Sequence, residues 1–192
     1  MDTFEEEFLT EVETTIKTQN TKRKKGINSK KKGNRAELDL AHILNERFEG
    51  YTFARSVQSG AYIGKSNDVR AETMSQEQIL IFAGDIRTPI NFKFVIEHKA
   101  YNPEEHEIFW EIFNEKSDIH KWMEQVLHDS KVAKKQPMLV VKYNFHERIV
   151  FLTDIGKDFP LIPKFTTFFL DKEWSCFYLK DLLELQNSYF FD

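Results

Sequence analysis

The chain has 192 residues, and 27 Lys plus Arg against 31 Asp plus Glu set its formal net charge at −4. Its 18 Phe, 6 Tyr and 3 Trp beside only 7 Gly and 5 Pro exclude a disordered or fibrous chain, and the length suits one domain with a short appendage. No apolar run could form a transmembrane helix, the acidic start Met1-Asp2-Thr3-Phe4-Glu5 is no secretory signal, and a single Cys176 excludes a disulfide framework or Cys-type zinc site; a cytoplasmic protein away from membranes is expected.

In chain order, Phe4, Phe8, Val12 and Ile16 recur every fourth residue and predict a helix on an acidic segment. Residues 17–30 are polar and read as a linker, so residues 1–30 form an acidic helix and basic linker ahead of a domain spanning 31–192. Ala36, Leu40, Ile43, Leu44 and Phe48 share one helical face, and Gly50 suits the stop of that helix. Thr52–Ser56 reads as extended and Gln58–Ser75 as a loop. Gln78–Phe82 and Phe92–Lys99 read as strands, with the turn dipeptide Thr88-Pro89 between them. Within Ile108–Val132, the spacing of Ile119, Trp122, Met123, Val126 and Leu127 predicts a helix. Met138–Tyr143 and Ile149–Leu152 read as a hairpin pair, Phe165–Leu170 and Ser175–Tyr178 as edge strands, and Leu179–Leu185 as a closing helix. The expected fold is α/β, with helices around a small central sheet.

The overall charge conceals an asymmetry. The first sixteen residues hold six acids and no base, and without those acids the balance is +2. Residues 17–35 carry nine bases and no acid, Lys30, Lys31, Lys32 and Arg35 among them. An acidic total therefore does not exclude a polyanionic partner, because the local field decides.

The segment Ile96-Glu97-His98-Lys99 carries the chemistry. Residues two apart on a strand share a face, so Glu97 and Lys99 project together. A carboxylate and an ammonium among apolar neighbours must be paired or liganded, the plain alternative being a surface salt bridge. Asp85 follows Gly84 at the end of the Gln78–Phe82 strand, and a hairpin would bring it to the Glu97 strand. Glu37 lies on the helix that begins near Lys32. Three such carboxylates make an oxygen-ligand site for Mg²⁺ or Mn²⁺, with Lys99 beside it to orient water or meet charge on a phosphate. The six histidines lack metal-ligand spacing, and His98, pointing away from Glu97 and Lys99, reads as a packing or capping residue. Neither G-x-S-x-G, a Walker motif nor G-x-G-x-x-G occurs, so no nucleotide cofactor is expected. Cys176 reads as a buried apolar residue, and Phe168–Phe169 and Tyr189–Phe191 as core or interface rather than base-stacking platforms.

In order, Gly33-x-x-x-Glu37, Arg55-x-x-x-Ser59-Gly60, Gly84-Asp85-Ile86 and Ile96-Glu97-x-Lys99 resemble the PD-(D/E)xK nuclease superfamily. The nearest likeness is to Holliday junction resolvases of the archaeal type and phage nucleases of that kind, over about residues 31–145. The resemblance implies a restriction-endonuclease-like mixed sheet flanked by helices, and metal-dependent hydrolysis of DNA phosphodiesters in the cell or, for a phage, in the host cytoplasm. It implies that Asp85, Glu97, Glu37 and the His98 backbone carbonyl bind Mg²⁺ or Mn²⁺, and that Lys99 positions or activates the attacking water. Ser59 falls near the scissile phosphate with Arg55 as its basic companion, and Gln125 takes the place of a glutamine in related nucleases. Gly84 stands where the family has Pro, read as a variant without chemical loss, and Asp68 competes with Asp85 but lies in a polar turn. Lys30, Lys31, Lys32 and Arg35 would hold DNA phosphates without reading bases. Symmetric cutting of branched DNA further implies a homodimer. Two other readings stand beside this one: a nuclease of the same fold acting on single strands, flaps or duplex, and a non-catalytic DNA-binding protein whose acids form only a salt-bridge cluster.

Overall fold

The computed structural model of the chain describes residues 30–56, 73–101, 118–143, 146–156 and 158–192. The acidic Phe4–Ile16 stripe, the linker up to residue 29, Ser59 and its loop, Asp68 and the first part of the Ile108–Val132 stretch lie outside them. Ala36–Asp192 is one compact unit and carries the whole sheet; residues 30–35 belong to the unit before it.

Helix α1 covers residues 30–47. Leu40, Ala41, Leu44 and the following Phe48 are its buried stripe, and the chain leaves it through Gly50, whose φ of +86° is cheap only without a Cβ. Among the described residues seven strands follow: β1 (Ala54–Arg55), β2 (Ile86–Arg87), β3 (Phe94–Tyr101), β4 (Gln136–Tyr143), β5 (Ile149–Thr153), β6 (Phe165–Phe169) and β7 (Lys172–Tyr178). Helix α2 (Gln76–Phe82) precedes β2, α3 (Asp118–Ala133) joins β3 to β4, and α4 (Leu179–Leu183) follows β7.

The strands form one mixed sheet in the order β1-β2-β3-β4-β5-β7-β6. β3 and β4 run parallel in register from Phe94↔Gln136 to Tyr101↔Tyr143, and the other pairs are antiparallel. A parallel pair requires a crossover, which α3 supplies. Alternation on β3 assigns its side chains to two cores. Phe94 and Ile96 join Met138, Val140, Val150 and Leu152 under α1 and α4, whereas Leu139, Val141, Phe151, Trp174 and Cys176 pack against Ile119, Trp122, Met123 and Val126 of α3. Glu97 and Lys99 alternate with the first set and so stand on the α3 face.

Two expectations are corrected. Gln78–Phe82 lies in a helix: Ser75 and Gln78 form a reciprocal capping box, and local capping decides between helix and strand for so short an apolar run. Asp85 therefore follows a helix and stands one residue before β2, yet still reaches the Glu97 strand because Ile86 pairs with Ile96. Ser175–Tyr178 belongs to an interior strand, between β5 and β6, so only β6 of the two is an edge.

The chain end is built into the first core. Phe190 and Phe191 are buried against Phe48 and Phe92, and Phe191 makes a bridge with Phe92. Arg47, at the last turn of α1, donates to the carbonyls of Leu183 and Leu185 and to Asn187 Oδ1. Phe169 stacks on His120, while Phe168 is exposed. No described helix is long and apolar enough to cross a membrane.

Candidate active site

β3 brings Glu97 and Lys99 to the α3 face two residues apart, as its pleat requires. Glu97 is fully buried, and Lys99 Nζ donates to its Oε1 while standing 3.8 Å from Asp85 Oδ2. Asp85 is held by its backbone: its N–H donates to the Ile96 carbonyl at 2.8 Å and its C=O accepts from the Ser56 N–H at 2.9 Å. Its Oδ2 accepts from the His98 N–H at 2.9 Å. From α1, Glu37 reaches Arg55 of β1, whose Nε donates to Glu37 Oε2 at 2.5 Å.

Electrostatics tie these groups into one cluster. Burial, then the Asp85 charge, pushes the Glu97 carboxyl well above the usual carboxylate range, against the pull of Lys99. Burial and then Asp85 raise Glu37 as well, with Arg55 and Lys99 opposing. For Lys99, burial acts to lower the ammonium, but Glu97 and Asp85 outweigh it and hold it above the ordinary lysine value. Glu37, Arg55, Asp85, Glu97 and Lys99 are thus brought together. His98 is buried on the opposite face of β3, where burial and the nearby Arg148 hold its ring down at about 4; neither ring nitrogen has a hydrogen-bond partner, which fits a packing role. Gln125 is half-buried on α3, and Lys30, Lys31, Lys32 and Arg35 are exposed on the first turns of α1. Ser59 lies outside the described residues.

Gly84 is more than a neutral substitute for Pro. Its φ is +70°, and a Cβ there would stand 2.5 Å from the Ile96 carbonyl oxygen. Proline, locked near −65°, cannot take this conformation. The glycine lets the turn press against β3 and deliver Asp85.

Sequence reasoning missed Asp129. It is buried on α3, where Oδ2 accepts from the Gly84 N–H at 3.3 Å and Oδ1 is 3.3 Å from His128 Nδ1. Burial raises its pKa, with a smaller contribution from Asp85. The signal was in the spacing: Trp122, Val126, Asp129 and Ala133 make one buried stripe, and an acid in such a stripe marks a polar task.

The donor set fits a hard cation, because all the converging acids offer oxygen and Glu97 Oε2 is buried without a hydrogen-bond partner. Among the described residues no three acidic, His or Cys side chains converge closely enough to hold an ion as they stand. The cation between the two buried carboxylates is the Lys99 ammonium.

A mixed sheet with an acid just before one strand, E-x-K on the next and a glutamate reaching in from a flanking helix defines a PD-(D/E)xK nuclease. Residues 28–169 match the family described as phage putative PDDEXK endonuclease, and the chain belongs to that family. No curated protein and no solved structure matches the chain. The match begins before the Gly33 motif and runs past residue 145, to the end of β6.

Proposed function

We propose that this protein is a Mg²⁺- or Mn²⁺-dependent DNA endonuclease that resolves branched DNA, acting as a homodimer in the host cytoplasm. The observation that carries the catalytic part is the pair of buried carboxylates, Asp85 and Glu97, sharing the Lys99 ammonium. A protein that only bound DNA would have no chemical use for acids buried at this cost. The preference for branched DNA rests on the likeness of the four motifs to junction resolvases.

In this reading Asp85, Glu97 and Glu37, with the His98 carbonyl, hold the ion. Held there, a cation would supply charge neutralisation at the phosphate and a more acidic water. Lys99 stays protonated between two acids, so it orients water and meets charge on the phosphate as a hydrogen-bond donor. Arg55 steadies Glu37 and, as the basic companion of Ser59, meets the charge of the phosphate. Lys30, Lys31, Lys32, Arg35 and Gln125 contact the DNA backbone.

The test is cleavage by the purified full chain of a four-way junction, a flap, single strands and linear duplex, with Mg²⁺ or Mn²⁺ and with EDTA. Metal-dependent cutting fastest on the junction is expected. Metal-dependent cutting that favours another substrate would remove the junction preference, and no cutting of any substrate would remove the enzyme reading. Glu97→Ala and Lys99→Ala should bind DNA without cutting it.

A further inference from the structure

We propose that Asp129 is a positioning residue for Asp85, holding the Gly84–Asp85 turn against the Glu97 strand through the Gly84 N–H. The inference rests on the reading of Asp85 as a working carboxylate.

Stability alone gives no reason for an acid at this position. Asp129 is 4 % exposed, in a buried stripe with Trp122, Val126 and Ala133, and it faces a region already charged by Asp85 and Glu97. An apolar side chain there would avoid both the desolvation and the like-charge repulsion. What the carboxylate gains is the Gly84 amide on one oxygen and the His128 ring beside the other.

The Gly84 amide is an effective handle because the turn has little slack. The left-handed Gly84 is pressed on the Ile96 carbonyl, and the next residue is fixed by Ile96, Ser56 and the His98 amide. Those three ties come from β3 and from Ser56, just past β1. Asp129 adds one from α3, the helix that leaves β3 and returns as β4. Asp85 is thereby placed in register with Glu97 from both layers. An outer partner of this kind sets the aim of a carboxylate without touching the reacting atoms.

Two substitutions separate holding from charge. Asparagine keeps a carbonyl oxygen for the Gly84 N–H but removes the charge; alanine removes both. The full-length Asp129→Asn and Asp129→Ala proteins are compared with wild type for kcat and KM on the DNA substrate cut fastest, DNA affinity in EDTA, and exchange protection of the Gly84 amide by NMR. For Asp129→Ala, kcat should fall by about 10- to 100-fold with KM and DNA affinity within about twofold, and the Gly84 amide should lose protection. Asp129→Asn should keep that protection and restore kcat to within about threefold of wild type. The inference is overturned if Asp129→Ala frees the Gly84 amide yet cuts at the wild-type rate. It is equally overturned if Asp129→Asn protects the amide yet is as slow as a chain with Asp85 removed, an outcome readable even where alanine does not fold. Asp85→Asn, measured in parallel, distinguishes the two readings: full activity there removes the role of Asp85 itself, whereas an inactive Asp85→Asn beside a wild-type Asp129→Ala removes only the role of Asp129.

Discussion

The Lys99 ammonium stands 3.8 Å from Asp85 Oδ2 while hydrogen-bonded to Glu97, so one cation serves two buried acids. Removing one acid therefore leaves Lys99 a partner and relieves a repulsion between carboxylates. Glu97→Gln should stabilise the fold by about 1 kcal/mol, or about 2–4 °C in Tm, and abolish cleavage. Thermal melting in chelator, paired with the junction assay, checks this. A fall in Tm would show that the Glu97–Lys99 pair is a net support of the fold.

Gly84 should tolerate no side chain. Alanine at φ +70° with its Cβ 2.5 Å from the Ile96 carbonyl forces the turn away from β3. A loss of about 2–4 kcal/mol is expected, combining the left-handed penalty with the clash. Urea unfolding measures it. Cleavage by the folded fraction should fall as well, because Asp85 moves with the turn, and a fully active Gly84→Ala would show that the turn has slack.

Much of this was legible locally. The stripes of α1 and α3 recur over enough turns for period to decide element type, and the short, continuous apolar runs of β3, β4 and β5 read as buried strands. Glu97 and Lys99 followed from the pleat alone. Gln78–Phe82 misleads because five residues with four apolar side chains fit either period, and the deciding contact, Ser75 with Gln78, is a cap rather than a pattern. Asp85 was placed correctly beside Glu97 from the wrong element, since the pairing of Ile86 with Ile96 does not depend on what precedes it. β7 was misplaced at the edge because strand order is a long-range property. Asp129 was passed over because its partner, the Gly84 amide, lies 45 residues away.

Lys30, Lys31, Lys32 and Arg35 are exposed at the start of α1, and their assignment to DNA phosphates has a numerical consequence. Each phosphate neutralised contributes about 0.9 to the slope of log affinity against log salt, so replacing all four with alanine should flatten that slope by about 3 to 4. DNA titrations in EDTA across a range of salt concentrations read this directly. An unchanged slope would return these residues to a solvated helix start. Cleavage at saturating DNA should be nearly unaffected, because none of the four belongs to the acid cluster.

Burial holds the Lys135 ammonium at about 8, with Asp192 opposing, while its Nζ donates to Thr88 Oγ1 and the Pro89 carbonyl. The folded chain thus binds this proton less tightly than the unfolded chain, whose lysine keeps the ordinary value of 10.5. Between those values the unfolded state holds more protons, so stability from this group rises with pH. Relative to Lys135→Met, the wild type should gain about 1 kcal/mol between about pH 7 and about pH 10, after discounting for partial exposure. Urea unfolding of both proteins at the two pH values measures the difference, and a gap that narrows or stays constant would refute the shift.

The chain end lies beyond the family match but inside the core, so its removal should be felt as lost stability rather than lost chemistry. Phe190 is 1 % exposed, its ring meets Phe48 edge-on at 4.9 Å, and its carbonyl accepts from the Lys93 N–H at 2.7 Å, one residue before β3. Phe190→Ala removes the ring and leaves a cavity under α1, which costs about 3–5 kcal/mol and lowers Tm by roughly 10 °C. The backbone tie to Lys93 survives the substitution, so β3 keeps its start and the Glu97–Lys99 pair its place. Cleavage well below the new Tm should therefore stay within about threefold of wild type, with the loss confined to the melting curve. A large drop in kcat at low temperature would instead show that packing around Phe190 reaches the acid cluster.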